Sequence, residues 1–270
     1  MIEFIYKRFL NKTNIKILNR LGVCGFLKLQ FGILFNLNFI KLRIDNMTLI
    51  KIRPKDKGDL AGLFGFYDED WFLDIYSLIG NKKVNFFDLG SNIGLTSLKF
   101  HKYFDDVNYI LVELDINNIE LSKFNLKNIN GMKYFYNNAI YYLENTRLFF
   151  DITSKSNAYS ITSGIEVYKE SVEVISKSIN SLFDGFSDGR CKIVKMDIEG
   201  AEKEVFFAAK PDWLYETDLL YLEIHHFNEN DIEQLKSILV DHNHELIKSF
   251  DYWSSPGWGA FLTKNSKNFI

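Results

Sequence analysis

The chain has 270 residues, of which 47% are hydrophobic and 25% are charged, and its formal net charge is -3. This length and composition are typical of one α/β domain with an extension, and they exclude a disordered, collagen-like or disulfide-framework protein. The slightly acidic balance gives no indication of nucleic acid as a partner. Because the two cysteines, Cys24 and Cys191, lie far apart and form no CxxC motif, we expect a reducing, cytoplasmic location and no cysteine-based zinc site.

The N-terminal segment differs in charge from the rest of the chain. Residues 1–45 contain eight basic and two acidic side chains, a net charge of +6, and the stretch from Leu21 to Ile40 is mostly apolar. This stretch is marginal as a transmembrane helix, which needs roughly 20 predominantly apolar residues. We expect a helical N-terminal extension that packs on the main domain. The alternative is a basic amphipathic element that makes a peripheral contact with an anionic membrane, at its inner face.

From residue 47 onward, strand-like and helix-like patterns alternate. Residues 47–54 alternate like an edge strand, and a helical stretch follows them. Five strand-like runs then alternate with helix-like segments, at residues 84–90, 109–114, 132–140, 191–197 and 218–224. Successive βα units imply a parallel sheet, whereas the last two strands, residues 244–250 and 258–264, are joined without a helix and should be antiparallel. Residues 147–176 interrupt the rhythm with two strands around a polar loop, which predicts a β-hairpin insertion.

The turn after the first of these five strands carries the first candidate site. Its sequence, DLGSNIG at residues 88–94, departs from the dinucleotide pattern G-x-G-x-x-G because Asn92 and Leu95 replace two glycines. A carboxylate at the strand end, Asp88, followed by glycines lets the backbone approach a ligand with a positive centre or an amino group. Glu113 ends the second strand, where a doubly wound sheet places an acid that accepts bonds from ribose hydroxyls. The alternative is that Asp88 and Asn92 cap the next helix and that Glu113 is exposed.

A second group of polar residues follows the fourth and fifth strands. Asp197 and Glu199 lie just beyond the fourth strand, Glu202 lies three residues later, and His225 follows the fifth strand. Open α/β sheets bind ligands at this carboxyl edge. If the helix begins near residue 200, Glu199 and Glu202 project to the same side. His225 is the first candidate for a general base because its ordinary pKa is nearest neutrality, with Asp197 or Glu199 orienting it or accepting the proton.

Two other interpretations of this polar group remain open. An oxygen-rich set with an imidazole suits a divalent metal that activates a hydroxyl, with candidate ligands Asp197, Glu199, Glu202, Glu223, His225 and His226. The two histidines point to opposite faces if the strand continues, so both cannot serve one site. Alternatively, the two glutamates are favourable acids at a helix N-terminus and His225 is a structural residue.

Together these motifs resemble the FkbM-type methyltransferases, a branch of the class I S-adenosylmethionine-dependent methyltransferases. The resemblance covers about residues 47–265 and rests on Asp88-x-Gly-x-Asn-x-Gly, Glu113, KMDIEGAE at residues 195–202, and LEIH at residues 222–225. It implies a Rossmann-like α/β fold with a seven-stranded, mostly parallel sheet, a C-terminal antiparallel hairpin and helices on both faces. The domains would then be an extension over residues 1–46 and a methyltransferase domain over residues 47–270.

The resemblance also implies S-adenosylmethionine as the cofactor. Its expected contacts are Asp88, Gly90, Ser91, Asn92, Gly94, Glu113, Asn138, Ala139 and Asp197. Asn138 stands where many class I enzymes have an aspartate beside the adenine, and its amide can still donate to the ring or accept from its amino group.

The expected reaction is methyl transfer to a hydroxyl of a sugar, a glycan or a related metabolite. The catalytic candidates are His225, Asp197, Glu199 and Glu202. Methylation of an amine stays open, as do two other classes: a non-catalytic glycan- or partner-binding module, and a nucleotide-dependent oxidoreductase or epimerase. Four further side chains are candidates for contacts with the acceptor or for local packing, namely Tyr159, Ser160, Trp253 and Trp258.

Overall fold

The computed structural model describes residues 12–45, 48–68, 70–151, 161–162, 170–250 and 259–269. The α-helices are α1 (Lys12–Leu34), α2 (Lys57–Asp68), α3 (Trp71–Ile79), α4 (Leu95–Phe100), α5 (Ile116–Asn125), α6 (Ile179–Asp184), α7 (Glu202–Phe207) and α8 (Glu229–Asp241). The strands are β1 (Ile40–Arg43), β2 (Leu49–Ile52), β3 (Val84–Leu89), β4 (Val107–Glu113), β5 (Lys133–Asn137), β6 (Ala139–Ile140), β7 (Arg147–Asp151), β8 (Ile161–Thr162), β9 (Ser171–Lys177), β10 (Cys191–Met196), β11 (Leu219–Ile224), β12 (His244–Phe250) and β13 (Gly259–Asn265). Short 3-10 helices follow at Asp212–Glu216 and Ser266–Phe269.

The main sheet has seven strands in the order β12-β13-β11-β10-β3-β4-β5. The five strands from β11 to β5 are parallel to one another, whereas β13 runs antiparallel to both β11 and β12. All residues of β3 are buried, as expected for a strand covered on both faces. The predicted α/β fold, with its mostly parallel sheet and C-terminal antiparallel hairpin, is therefore confirmed.

Each face of the sheet is covered by helices and has its own hydrophobic core. Alternate residues of β3 point to opposite faces, so Phe86 belongs to one core and Phe87 to the other. The Phe86 ring stacks on Phe100 of α4 with centroids 4.1 Å apart, and the Phe87 ring contacts Phe183 of α6 at 4.6 Å. The predicted placement of helices on both faces is thus confirmed at the level of individual contacts.

The N-terminal segment contains the predicted helix and also a strand that the helical prediction did not include. Strand β1 pairs antiparallel with β2, with Ile40 opposite Ile52. The backbone N–H of Lys51 donates to Asn125 Oδ1 (2.7 Å), and the Asn125 amide donates to the carbonyl of Ile93 (2.9 Å). These bonds tie the hairpin to the loop after β3. The division of the chain at residue 46 lies between β1 and β2 and stays a prediction.

A second, smaller sheet begins where β5 ends. Its strand order is β6-β9-β7-β8, with β6 parallel to β9, and β7 antiparallel to both β9 and β8. Its core consists of Ala139, Leu148, Phe150 and Val174. The sequence predicted one strand over residues 132–140, but Asn138 separates β5 in the main sheet from β6 in the small one.

Candidate active site

The candidate residues meet at the point where the sheet topology reverses. The chain runs from β3 through β4 to β5 on one side, and then through β10 to β11 on the other side of β3. Asp88 lies near the end of β3, Glu113 ends β4, Asp197 follows β10, and His225 follows β11. The crevice outside the carboxyl ends of β3 and β10 is where open α/β folds bind their ligands. The predicted clustering of these acids at one sheet edge therefore fits the observed topology.

The loop after β3 is packed directly against the end of β10. Gly90 has a φ of 75°, and a Cβ atom at this position would lie 1.8 Å from the carbonyl oxygen of Asp197. The backbone N–H groups of Gly90 and Ser91 both donate to the carbonyl of Val112. Only glycine fits at residue 90, because any side chain there would push the two loops apart.

Asp88 is fully buried beneath this loop. Its Oδ2 accepts a hydrogen bond from Ser97 Oγ (2.7 Å), and its Oδ1 lies 3.6 Å from Lys195 Nζ. The N-cap of α4 is Gly94, with no side-chain capping bond. The alternative in which Asp88 and Asn92 cap this helix is therefore wrong.

Glu113 is also buried, with 6% of its surface exposed, so the alternative of an exposed strand end is wrong. Its Oε2 accepts from the backbone N–H of Asn92 and its Oε1 from that of Asp115, both at 2.9 Å. Burial raises the pKa of Glu113 to about 7, although these bonds and one from the Asn118 side chain lower it. Glu113 thus fixes the loop after β3 to the end of β4.

Lys195 is the central cation of the site, and sequence reasoning gave it no role. Its Nζ donates to the carbonyl of Gly90 (2.8 Å) and lies 3.3 Å from Asp197 Oδ2. Burial lowers the pKa of Lys195, but the carboxylates of Asp197 and Asp88 have the larger combined effect and raise it above its ordinary value. The ammonium therefore stays charged. The signal in the sequence was a lysine inside a strand that is otherwise buried, because a buried ammonium requires a paired carboxylate.

His225 lies at the opposite end of the acidic cluster and is almost completely buried. Its Nδ1 is 2.8 Å from Glu202 Oε1, and its Nε2 is 3.7 Å from Asp197 Oδ1 and 3.6 Å from Glu199 Oε2. Because a carboxylate accepts and does not donate, the contact with Glu202 places a proton on Nδ1. Burial lowers the pKa of His225, but Glu202 and the two other carboxylates raise it to about 9. The free protein therefore holds an imidazolium at neutral pH.

The two glutamates of the motif have different positions. Helix α7 begins at Glu202, later than the sequence suggested, and Glu199 lies in the preceding loop with a φ of 53°. Glu202 has no exposed surface. Its carboxylate accepts hydrogen bonds from the backbone N–H groups of Ile198 (3.2 Å) and Gly200 (2.8 Å) as well as from the His225 imidazole. Burial and the charge of Asp197 raise the pKa of Glu199 to about 8. Glu202 is a positioning residue, whereas Glu199 faces the imidazole Nε2.

The remaining predicted cofactor contacts lie beyond β5. The Asn138 amide donates to the carbonyl of Ile175 in β9 (2.9 Å), and Ala139 is buried in the small sheet. The neighbouring Asn137, which sequence reasoning did not select, donates its amide to the carbonyls of Glu113 and Leu114. The four side chains suggested for acceptor contacts or packing lie outside the described residues: Tyr159, Ser160, Trp253 and Trp258.

Several buried oxygens at this sheet edge have no hydrogen-bond partner. In the described part of the chain, the buried side-chain atoms of this kind are Asp88 Oδ1, Ser91 Oγ, Asn92 Oδ1 and Asp197 Oδ1. Buried polar atoms are almost always hydrogen-bonded. A group of them at the topological switch point therefore indicates a ligand that carries hydrogen-bond donors.

The same edge contains one possible cation site. Single ligand atoms of Asp197, Glu223 and His225 lie within 4.8 Å of one another, and this donor set suits a divalent cation. Of the other candidate metal ligands, Glu202 is engaged with the backbone and His226 is exposed beyond the strand end. The Lys195 ammonium beside Asp197 already supplies a positive charge there.

Comparison with known families agrees with this geometry. The model of the methyltransferase FkbM domain matches residues 88–251, which is more than half of the chain and includes Asp88, Glu113, Asp197 and His225. This chain belongs to the FkbM methyltransferase family. No curated protein shows a significant sequence match to it.

Solved structures similar to this FkbM-family chain include several methyltransferases. FkbM from Methylobacillus flagellatus is 15% identical, with a TM-score of 0.44, and the alignment covers 68% of this chain and 43% of that one. TYW2 from M. jannaschii in complex with AdoMet is 13% identical, with a TM-score of 0.43 and coverage of 84% and 85%. A putative RNA methyltransferase from Pyrococcus horikoshii is 14% identical, with a TM-score of 0.42 and coverage of 74% and 81%. At these identities the similarity concerns the fold.

Proposed function

We propose that this FkbM-family chain is an S-adenosylmethionine-dependent O-methyltransferase that acts on a hydroxyl of a sugar, a glycan or a related metabolite. The observation that carries the proposal is the group of four buried oxygens without a hydrogen-bond partner, two of them carboxylate oxygens, at the switch point of the sheet. When bound, S-adenosylmethionine supplies an electrophilic methyl group on a positively charged sulfonium. The proposal includes a cytoplasmic location, which the two free cysteines support.

The residues present fit this cofactor better than they fit a dinucleotide. Asp88 Oδ1, Ser91 Oγ and Asn92 Oδ1 offer acceptors to an amino group, and Gly90 lets the backbone come close. When ionised, the Glu113 carboxylate has about four acceptor positions, and Asn92, Asp115 and Asn118 occupy three of them, which leaves about one for a ribose hydroxyl. Negative charge at this loop repels a pyrophosphate, which argues against the oxidoreductase and epimerase alternatives.

We assign removal of the acceptor hydroxyl proton to the group formed by His225, Asp197 and Glu199. An alcohol is a poor nucleophile until its proton is removed. Nε2 of His225 can accept that proton only after the imidazolium has lost its own. The pKa of His225 falls when positive charge is added beside Asp197, because like charges repel. The carboxylates around His225 therefore keep it protonated in the free protein, and it becomes available as a base when the positively charged cofactor is bound.

Positioning of the reactants is the second contribution of these residues. Glu202 holds the loop that carries Glu199, and Lys195 holds the loop that carries Gly90. The two loops, which pack against each other at Gly90 and the Asp197 carbonyl, thus have fixed positions before any substrate arrives. Holding two reactants in line can lower a barrier by about 7 to 11 kcal/mol in favourable cases.

Calorimetric titration of the full chain with S-adenosylhomocysteine tests the cofactor assignment. We expect micromolar binding, no binding of NADH, and the same affinity with and without EDTA. Asp88→Asn should weaken binding roughly 10- to 150-fold, since a charge-assisted hydrogen bond contributes about 1.5 to 3 kcal/mol. Asp184→Asn, at an exposed position on α6, is the matched control. Binding of NADH, or no binding of S-adenosylhomocysteine, overturns the proposal, and loss of binding in EDTA would indicate the metal site.

The acceptor class needs a separate assay. Transfer of a labelled methyl group from S-adenosylmethionine is measured with sugar nucleotides, glycolipids, free glycans and matched amino sugars. We expect labelled product from hydroxyl acceptors that is stable to base. Label found only on acceptors with a free amine would contradict the O-methyltransferase assignment while leaving the cofactor assignment intact.

A further inference from the structure

Helix α1 presents an unusual row of exposed apolar side chains. Val23, Leu27, Phe31 and Leu34 are separated by four, four and three residues, so they share one helix face. Between 57% and 67% of each of these residues is exposed to solvent. The row continues past the helix, and we name the whole set the N-terminal apolar surface: Val23, Leu27, Phe31, Leu34, Phe35, Leu37 and Phe39.

The N-terminal apolar surface surrounds a groove with a basic rim. The groove has a volume of about 640 Å³, and its lining includes Leu27 and Phe31 together with Lys28, Lys41 and Lys51. None of these three lysines forms an ion pair with a carboxylate in the described part of the chain. An apolar floor with lysines at its rim matches the surface of an anionic bilayer.

Helix α1 does not have the form of a transmembrane span, although the segment Asn14–Leu34 is long and apolar enough for one. Gly22, with φ 67° and ψ 177°, breaks the helix. The part beyond the break has twelve residues and a length of about 18 Å, which is short of the roughly 30 Å of a bilayer core. The opposite face, with Phe26 and Leu29, is buried in the main core. Insertion across a membrane would therefore require the core to open.

The distribution of charge in the chain favours one orientation toward a membrane. Residues 1–45 have a net charge of +6, while the whole chain has -3, which leaves -9 for the rest. An anionic membrane attracts the first segment and repels the remainder. The apolar side chains lie within the attracted segment. Charge and hydrophobicity therefore select the same face.

We propose that the N-terminal apolar surface docks this protein onto an anionic lipid membrane. The large apolar side chains enter the boundary between headgroups and acyl chains, and the lysines of the groove rim contact anionic headgroups. The protein lies on the membrane and does not span it. This inference does not depend on the proposed enzyme activity.

Co-sedimentation of the full chain with vesicles tests the proposal. One set of vesicles contains phosphatidylcholine with 30% phosphatidylglycerol, and the other contains phosphatidylcholine alone. We expect binding to the anionic vesicles that weakens with added salt, and little binding to the neutral ones. The double variant Leu27→Asp/Phe31→Asp should bind anionic vesicles at least tenfold more weakly than the parent protein. Lys28→Glu/Lys41→Glu should lose roughly fivefold in vesicle affinity for each lysine replaced.

A control variant separates docking from general surface hydrophobicity. Leu73→Asp/Val240→Asp changes two exposed apolar residues elsewhere, with exposures of 52% and 70%, and should bind vesicles like the parent protein. Thermal unfolding followed by circular dichroism should give the same midpoint for all variants within a few degrees, which shows that each is folded. Equal binding by Leu27→Asp/Phe31→Asp and the parent overturns the proposal. The parent protein could instead form a dimer and fail to bind vesicles, while Leu27→Asp/Phe31→Asp is a monomer. That result overturns membrane docking and shows that a second copy covers the surface.

Discussion

Replacement of Glu202 by Gln removes one charge from a buried pair and nearly preserves its shape. The Glu202 and His225 side chains are 0% and 5% exposed, and Oε1 of the first is 2.8 Å from Nδ1 of the second. Burial lowers the pKa of His225, whereas Glu202 and the neighbouring carboxylates raise it from 6.5 to about 9. One pKa unit corresponds to about 1.4 kcal/mol, so the net preference for the imidazolium is about 3 kcal/mol. We expect Glu202→Gln to lower the pKa of His225 by roughly 1 to 3 units.

This shift also changes how stability depends on pH. A histidine whose pKa is higher in the folded state stabilises the fold fully below its unfolded pKa, and this contribution is lost as the pH rises through about 9. Burial and Asp197 raise the pKa of Glu199 to about 8, which also makes the folded state bind extra protons. The free energy of unfolding should therefore fall between pH 6.5 and 9. Glu202→Gln should make this fall shallower.

Two measurements test the Glu202 prediction. NMR titration of the His225 ring gives its pKa directly, and urea unfolding at pH 6, 7, 8 and 9 gives the stability curve. Glu204→Gln, on an exposed position of the same helix, is the matched control and should leave both unchanged. Folding of the variants is checked by binding of S-adenosylhomocysteine. An unchanged His225 titration in folded Glu202→Gln would refute the argument, because the carboxylate would then not govern the imidazole.

Three further substitutions test other contacts of the site. Lys195→Met removes the cation that pairs with the buried Asp88 and the partly exposed Asp197. It should lower the free energy of unfolding at neutral pH by about 3 to 5 kcal/mol in urea unfolding, and a loss below about 1 kcal/mol would contradict the assigned pairing. Gly90→Ala should abolish S-adenosylhomocysteine binding in calorimetry, because the new Cβ meets the Asp197 carbonyl. Gly189→Ala is the control and should keep binding, because Gly189 has a similar φ but open space where the Cβ would lie. Glu113→Gln should weaken the same binding roughly 10- to 150-fold, and unchanged affinity would remove Glu113 from the site.

The fold could be predicted from sequence because its signals are local. The run VNFFDL of β3 and the alternation of strand and helix patterns depend on near neighbours in the chain, and right-handed connections leave few ways to arrange them. The edge location of Asp88, Glu113 and Asp197 followed from the same rule, since each ends or follows a parallel strand. Strand β1 could not be recognised, because it is only four residues long and begins at Ile40, where the apolar segment predicted to be helical ends.

The chemistry of the site could not be predicted from sequence because it depends on distant contacts. Lys195 lies between two carboxylates, one of which is 107 positions earlier in the chain, and no local pattern indicates that pairing. His225 is an ordinary imidazole in the sequence. Its protonation depends on Glu202, which is 23 residues away and fully buried. Pairing with carboxylates that are distant in the chain, against the opposite effect of burial, raises the pKa of His225 to about 9.

The raised pKa of His225 leads to a last prediction, on proton release during ligand binding. Nε2 of His225 lies 3.7 Å from Asp197 Oδ1, which is one of the unpartnered oxygens at the proposed cofactor site. At pH 8 His225 is mostly charged in the free protein, because its pKa is about 9. S-adenosylmethionine carries a positive sulfonium and S-adenosylhomocysteine a neutral sulfur, so only the former should lower this pKa and release protons. Calorimetry in buffers of different ionisation enthalpy counts these protons. We expect more protons from S-adenosylmethionine than from S-adenosylhomocysteine. The difference should be smaller in His225→Ala, where Glu199, whose pKa is about 8, is still able to release a proton. Equal counts for the two ligands in the parent protein would mean that ligand charge does not reach the imidazole, and the base would then have to be Asp197 or Glu199.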